Sequence, residues 1–185
     1  MKKSGKLRII GGQWKRRHIR FPALPGLRPT PDRARETLFN WLMHRIAGRT
    51  CLDLFAGSGA LGFEAASRGA ARVVMIESNR KSVQSLVQNR ALLQAQDQVD
   101  ILHDHALEYL PSTDQKFDLV FLDPPFRKAL IGPACQSLVR HPVLRDHALV
   151  YIESLISNNP LPIPATWNII QESRCGMTQL TLAET

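Results

Sequence analysis

Short apolar runs alternate with helical patterns from residue 51 to residue 153, and this alternation constrains the fold more than any other feature of the chain. Each run has strand length, and the apolar positions between the runs have helical spacing. Repeated strand–helix units imply a mostly parallel sheet with helices on both faces, so we predict an α/β fold. The predicted elements are strand 51–55, helix 60–68, strand 72–76, helix 79–93, strand 98–102, helix 105–110, strand 117–122, helix 129–140 and strand 147–153.

The segments on either side of this core have patterns of their own. Asp32 is a suitable cap for a helix that the apolar spacing extends to about Ile46. At the other end, residues 167–174 and 177–182 flank Cys175 and Gly176, which predicts a terminal antiparallel hairpin.

The polar and glycine positions of the core gather at one edge of the predicted sheet. Ligands of such sheets bind beyond the carboxyl ends of the strands. The positions at or just past those ends are Asp53, Gly57, Glu77, Asp104 and Asp123. We therefore predict a ligand site at this edge. His103 and His105 flank Asp104, but successive residues of a strand face opposite ways, and we predict no metal site.

A glycine motif follows the first core strand, because residues 51–62 read CLDLFAGSGALG. Glycines allow close approach of the backbone to a ligand, and the following helix N-terminus is electropositive. Gly57, Gly59 and Gly62 also satisfy the dinucleotide pattern GxGxxG, so a nicotinamide dehydrogenase is one alternative.

Asp53 lies inside the strand, where a dinucleotide fold has an apolar residue. A buried carboxylate needs a partner, so Asp53 is expected to order the loop or to meet a cationic ligand group. Glu77 closes the next strand, where its carboxylate suits two ribose hydroxyls.

A second motif ends the strand 117–122, because Asp123-Pro124-Pro125-Phe126 follows it directly. Two prolines remove backbone donors and hold the chain extended. The result is a rigid platform with a carboxylate, a carbonyl and an aromatic face. Such a platform suits a planar aromatic amine, whose N–H groups need acceptors and whose ring can stack.

These two motifs, in this order, resemble the S-adenosylmethionine-dependent amino-methyltransferases of class I fold. Residues 28–41 (RPTPDRARETLFNW) and 8–14 (RIIGGQW) narrow the resemblance to the bacterial RsmD family, the small-subunit (16S) ribosomal RNA guanine-N2 methyltransferases. The resemblance covers nearly the whole chain and weakens after about Pro160. It implies a Rossmann-like, mostly parallel seven-stranded sheet with an antiparallel terminal hairpin.

The resemblance also implies S-adenosylmethionine as the cofactor and assigns roles to residues. The catalytic residues would be Asp123, Pro124 and Phe126. The cofactor contacts would be Asp53, Phe55, Ala56, Gly57, Ser58, Gly59, Glu77, Ser78, Asp104 and His105.

Positive charge is concentrated at the N-terminus. Residues 1–35 contain eleven Lys or Arg and one acid, for a net charge of +10, whereas the whole chain carries +8. Apolar residues on both sides of Gly11-Gly12 predict a β-hairpin that turns at this glycine pair. A basic hairpin with an exposed aromatic side chain is suited to nucleic acid. We therefore predict a basic RNA-binding extension over residues 1–28 and a methyltransferase domain over 29–185. The predicted RNA contacts are Arg8, Trp14, Lys15, Arg16, Arg17 and Arg28.

Other activities stay open at this point. An amino-methyltransferase for DNA adenine or cytosine, or for another RNA, would share both motifs, although 185 residues leave no room for a separate DNA-recognition domain. Protein-glutamine methyltransferases usually have Asn where this chain has Asp123. A non-catalytic RNA-binding assembly factor could use the same scaffold.

The remaining composition predicts where the protein acts and with what. Three widely spaced cysteines fit neither a disulfide framework nor a zinc pattern. No apolar run approaches the ~18 residues of a membrane span. We expect a cytoplasmic monomer, without membrane or metal partners, that acts on ribosomal RNA or the assembling small subunit.

Overall fold

The computed structural model describes residues 5–24, 30–125, 129–157 and 159–185. Its helices are α1 (Asp32–Trp41), α2 (Ala60–Ser67), α3 (Arg80–Leu93), α4 (Ala106–Ser112) and α5 (Ile131–Arg140). Its strands are β1 (Gly5–Arg8), β2 (His18–Phe21), β3 (Thr50–Asp53), β4 (Arg72–Glu77), β5 (Val99–His103), β6 (Phe117–Leu122), β7 (Leu144–Leu155), β8 (Asn168–Cys175) and β9 (Thr178–Glu184).

Seven of the strands form one mixed sheet in the order β5-β4-β3-β6-β7-β9-β8. The first five pair in parallel, and β9 enters antiparallel between β7 and β8. One apolar core lies between the sheet and α1, α2 and α3. A second core covers the other face beneath α4 and α5. The predicted α/β architecture, with helices on both faces and a terminal hairpin, is confirmed.

The first helix differs from its prediction at both ends. Pro31 occupies the N-cap position with no side-chain cap, and Asp32 is the first helical residue. The Asp32 carboxylate lies 2.7 Å from Nη2 of Arg35 instead of capping the helix. The helix ends at Trp41, because the next residues make tighter turns such as Met43 N–H to Asn40 C=O. Ile46 stays in the core without being helical.

The N-terminal hairpin forms as predicted, and Gly11-Gly12 lie within the connection between its two strands, which is longer than the glycine pair itself. Strands β1 and β2 pair from Gly5 with Phe21 to Arg8 with His18, so residues 9–17 connect them. Gly12 has a positive φ of 74° and lies against the backbone of Ser67, where a side chain would clash. The glycine pair therefore serves the contact with α2. The predicted boundary at residue 28 lies outside the described residues.

Glu64 of α2 connects the hairpin to the rest of the protein. Its two carboxylate oxygens accept the N–H groups of Ile10 and Gly11, each at 2.8 Å. The same carboxylate lies 2.8 Å from Nε of Arg68 and 3.5 Å from Nη1 of Arg35, which is fully buried. The hairpin is thus tied to α1 and α2 by one buried cluster of charges.

Candidate active site

A cavity of about 650 Å³ opens at the carboxyl edge of the parallel strands. It is bounded by the residues that follow β3, β4, β5 and β6, together with Leu24 and Thr30 from the N-terminal segments. Its size falls within the ~300–1,000 Å³ usual for small-molecule sites. The edge predicted to hold a ligand therefore carries a cavity large enough for one.

The loop after β3 is held by a carboxylate from the neighbouring strand. Glu77 accepts the N–H of Gly57 on one oxygen at 2.8 Å and that of Asn79 on the other at 2.6 Å. Gly57 has a positive φ of 51°, which glycine adopts without strain. Each carboxylate oxygen keeps a further acceptor site, so Glu77 can still bind hydroxyl groups of a ligand.

Asp53 organises the same loop from beneath. Its side chain is buried, and Oδ2 accepts the N–H of Gly62 at 3.0 Å. Burial raises the pKa of Asp53 to about 7, and the carboxylates of Asp123 and Glu77 add to that rise. The expectation that Asp53 orders the glycine loop agrees with this contact.

The strand β5 brings a third carboxylate to the cavity. Asp104 follows the strand and accepts the N–H of His105 at 2.7 Å, and both residues line the cavity. His103 instead hydrogen-bonds the carbonyl of Ser78 at 3.0 Å through Nε2. Among the described residues, no group of three His, Cys, Asp or Glu side chains is arranged to hold a metal ion.

Asp123, Pro124 and Pro125 form the opposite wall. The Thr30 hydroxyl donates to Oδ2 of Asp123 at 3.0 Å. Burial raises the pKa of Asp123 to about 6, and the Thr30 hydrogen bond opposes the rise. Asp123 is therefore ionised at neutral pH, and its carboxylate faces the cavity as an acceptor. Phe126 lies outside the described residues.

Comparison with known proteins shows which family the chain belongs to. The profile of the family described as Conserved hypothetical protein 95 matches residues 7–184. The ribosomal RNA small subunit methyltransferase D of Escherichia coli strain K12 is 44% identical over 179 residues, covering 97% of this chain and 90% of the relative. The enzyme of that name from Haemophilus influenzae is 40% identical over 181 residues, covering 96% and 93%. The chain belongs to this family.

Solved structures agree with the family assignment. A proposed methyltransferase from Escherichia coli superposes with a TM-score of 0.90 at 43% identity, covering 97% of this chain and 98% of that one. A proposed methylase from Haemophilus influenzae gives 0.83 at 37% identity, with the same two shares. The resemblance to the RsmD family and the class I methyltransferase fold are both confirmed, and the dehydrogenase alternative falls away.

The structure brings nearly all of the predicted cofactor residues into the one cavity. Those that line it are Asp53, Phe55, Ala56, Gly57, Ser58, Glu77, Ser78, Asp104 and His105. Gly59 is not among the lining residues. It has a positive φ of 79°, and a Cβ there would lie 2.6 Å from side-chain atoms of Leu86 and Phe63. A glycine is required at this position because the φ angle is positive and because Leu86 and Phe63 leave no room for a side chain.

The predicted RNA contacts separate into exposed and buried residues. Arg8, Lys15, Arg16 and Arg17 are exposed. Trp14 is not the exposed aromatic that the sequence suggested: it is only 7% exposed and belongs to the core, and its backbone N–H donates to the Ser67 hydroxyl at 2.9 Å. Arg28 lies outside the described residues.

Sequence reasoning missed three residues next to Asp123. Thr30 reaches it from the segment before α1, while Tyr151 and Glu153 are buried in the adjacent strand β7. Glu153 is the last residue of the predicted strand 147–153, and this position at the carboxyl end of a strand is the signal that could have identified it. Thr30 lies in the segment 28–41 that carries the family resemblance, but no local pattern indicates that its hydroxyl reaches Asp123.

Proposed function

We propose that this protein transfers a methyl group from S-adenosylmethionine to the exocyclic N2 amine of a guanine in small-subunit (16S) ribosomal RNA. The placement of the Asp123–Pro125 platform on the wall of the strand-end cavity carries the proposal. The relatives named as small-subunit ribosomal RNA methyltransferases support the substrate class. We further place the reaction in the cytoplasm and propose that the protein acts as a monomer.

The residues of the cavity fit S-adenosylmethionine. Glu77 has free acceptor sites for ribose hydroxyls, and Asp104 presents an acceptor for the adenine amino group at the end of the next strand. The glycine loop lies between them and Asp123, where the backbone leaves room for the rest of the cofactor. When bound, the cofactor supplies an electrophilic methyl group on a sulfonium.

Asp123 and the carbonyl of Pro124 would orient the acceptor amine. The lone pair of guanine N2 is delocalised into the ring, so the amine is a weak nucleophile until its N–H groups are held by acceptors. Two acceptors on a rigid platform direct the lone pair toward the methyl carbon, and such positioning contributes much of the rate. The nitrogen would become cationic as the new N–C bond forms and the bond from the methyl carbon to the sulfonium sulfur breaks, with S-adenosylhomocysteine as the leaving group. The adjacent Asp123 carboxylate would stabilise the charge on nitrogen. The nitrogen then loses a proton, which restores the neutral amine.

The base must leave its stack to reach this wall, which favours a nucleotide in a loop of the RNA. The exposed cations of the hairpin, Arg8, Lys15, Arg16 and Arg17, would contact the surrounding phosphates. Arg28 is proposed for the same role from the sequence alone.

One experiment tests the activity and the nucleotide together. Ribosomal RNA from cells with and without this protein is digested and compared by mass spectrometry, and both naked 16S RNA and small subunits from the deleted strain are offered as substrates with methyl-labelled cofactor. We expect one N2-methylguanosine to be missing in the deleted strain and restored by the protein. Transfer of the label to another base, to DNA or to protein would contradict the proposal that guanine N2 of 16S RNA is the substrate.

The cofactor contact of Glu77 gives a first prediction. Glu77→Ala should weaken binding of S-adenosylhomocysteine about 10–100-fold, because hydrogen bonds to a charged group contribute about 1.5–3 kcal/mol. Isothermal titration calorimetry measures it, with exposed Glu36→Ala as the control. Unchanged affinity in the Glu77 variant would remove this residue from the cofactor site.

The basic hairpin gives a second prediction, on RNA affinity and its salt dependence. For single strands the logarithm of affinity falls by ~0.7 per neutralised phosphate for each logarithmic unit of salt. Replacing Arg16 and Arg17 with Ala should reduce that slope by about 1.4 and raise the KM for RNA, with cofactor affinity unchanged.

The control for the hairpin removes the same charge elsewhere. Arg140→Ala with Arg174→Ala changes two exposed arginines on α5 and β8. This pair should leave the salt slope nearly unchanged. Equal slopes for both double variants would mean that net charge alone, and no local surface of the hairpin, determines RNA affinity.

A further inference from the structure

Glu153 is a buried carboxyl group that the reaction described above does not use. It lies on β7, which pairs in parallel with β6 up to Leu122 and Ile152, so Glu153 lies beside the start of the Asp123 platform. Only 2% of it is exposed, and it does not line the cavity. A carboxyl group is rarely buried this completely without a partner or a proton.

Two hydroxyl groups lie next to the carboxyl groups of Glu153 and Asp123. The Tyr151 hydroxyl donates to Oε1 of Glu153 at 2.9 Å. The Thr30 hydroxyl donates to Asp123 at 3.0 Å, and Thr30 also lowers the pKa of the neighbouring Glu153. A threonine hydroxyl has a single proton to donate, so it cannot serve two ionised carboxylates at once.

The charges that face Glu153 are all of one sign. The acidic neighbours of Glu153 are Asp123, after β6, and Asp53, on β3. Tyr151 lies on the same strand as Glu153, and the residue paired with Glu153 on β9 is the apolar Leu180. Cys175 of β8 contributes to raising the pKa of Tyr151. Within the described residues, no Lys, Arg or His forms an ion pair with Glu153.

Burial first, and then the Asp123 carboxylate, raise the pKa of Glu153 to about 8, while Tyr151 and Thr30 oppose the rise. The pKa of Asp123 is raised only to about 6. Burial and the nearby Asp123 charge favour a proton on Glu153, whereas the hydrogen bond from Thr30 favours the ionised form of Asp123. Asp123 is then ionised and has the Thr30 hydrogen bond to itself.

We propose that Glu153 is a positioning residue for methyl transfer: its neutral carboxyl group, held by Tyr151, leaves the Thr30 hydroxyl to fix the ionised Asp123 against the acceptor amine. This role rests on the function proposed above. When Glu153 loses its proton, a second negative charge competes for Thr30 and repels Asp123. The rate of methyl transfer should therefore fall as the pH rises through the pKa of Glu153.

The test compares the pH dependence of kcat/KM in three proteins at saturating cofactor. Glu153→Gln keeps the shape and neutral state of the side chain but has no proton to lose. Glu172→Gln makes the same change at an exposed position of β8, where the Glu172 carboxylate accepts a hydrogen bond from Gln179. We expect the wild type and Glu172→Gln to lose activity above about pH 8, and Glu153→Gln to lack this alkaline decline. An equal decline in all three would overturn the role of Glu153.

A second variant separates positioning from simple structural support. Tyr151→Phe removes a hydrogen bond that lowers the pKa of Glu153. The alkaline decline should therefore shift to higher pH in this variant, whereas a general loss of structure would lower the rate at every pH.

A titration independent of activity completes the experiment. Carbon-13 NMR of glutamate-labelled protein should show one side-chain carboxyl with a pKa near 8 that is absent from Glu153→Gln. An ordinary acidic pKa for that resonance would overturn the inference even if methyl transfer is normal. The elevated pKa without any methyl transfer by the wild type would instead overturn the proposed function, and the role of Glu153 in it.

Discussion

Asp123→Ala should lose about 10²–10³-fold in kcat, the range seen when one preorganised group that stabilises transition-state charge is removed. Thr30 holds this carboxylate at 3.0 Å on the wall of the cavity, where the acceptor amine would bind. Affinity for S-adenosylhomocysteine should stay within about threefold, because the proposed cofactor contacts lie on the other walls. Single-turnover methyl transfer and calorimetry measure the two quantities separately.

The rate of methyl transfer should also depend on pH through the ionisation of Asp123. Burial raises the pKa of Asp123 to about 6, so the wild-type rate should fall as the pH drops through about 6, when the carboxylate becomes protonated. Asp123→Asn keeps an acceptor oxygen without the charge, so it should have a reduced rate that lacks this acidic decline. Asp114→Ala, on the exposed loop before β6, is the matched control. Near-normal turnover in Asp123→Ala would remove this residue from the mechanism.

Glu64→Ala should lower the free energy of unfolding by about 3–5 kcal/mol, the usual cost of breaking a buried ion pair by removing one partner. The substitution leaves the fully buried Arg35 without one carboxylate and leaves the N–H groups of Ile10 and Gly11 without their acceptor. Urea denaturation followed by circular dichroism measures the change. Exposed Glu36→Ala should change stability by no more than about 0.5 kcal/mol.

The hairpin contributes apolar side chains to the core as well as positive charge to the surface. Leu7, Ile9 and Ile19 belong to the core shared with α1 and α2, so deleting residues 1–20 would remove packing as well as charge. Point substitutions of exposed arginines are therefore the cleaner probe of RNA binding. A loss of less than about 1 kcal/mol in Glu64→Ala would mean that the hairpin is held by its apolar contacts alone.

The α/β architecture and the ligand edge were predictable because both follow from local patterns. Strand length, helical spacing and glycine turns are properties of neighbouring residues. Parallel strands place their carboxyl ends on one edge, so Asp53, Glu77, Asp104 and Asp123 could be assigned to one site before any distance was known. The family-specific N-terminal segments narrowed the function further.

Tertiary structure alone decided the features that depend on distant parts of the chain. Trp14 is buried because it packs in a core that α2, more than fifty residues away, helps to form, and the Ser67 hydroxyl of α2 accepts its backbone N–H. Thr30 reaches Asp123 across ninety-three positions, and the burial of Glu153 depends on the strands inserted beside β7. Periodicity records which residues of one element share a face, but it holds no information on which other element covers that face. The raised pKa of Glu153 and the burial of Trp14 both follow from that covering, since loss of solvent disfavours the charged form of a carboxyl group.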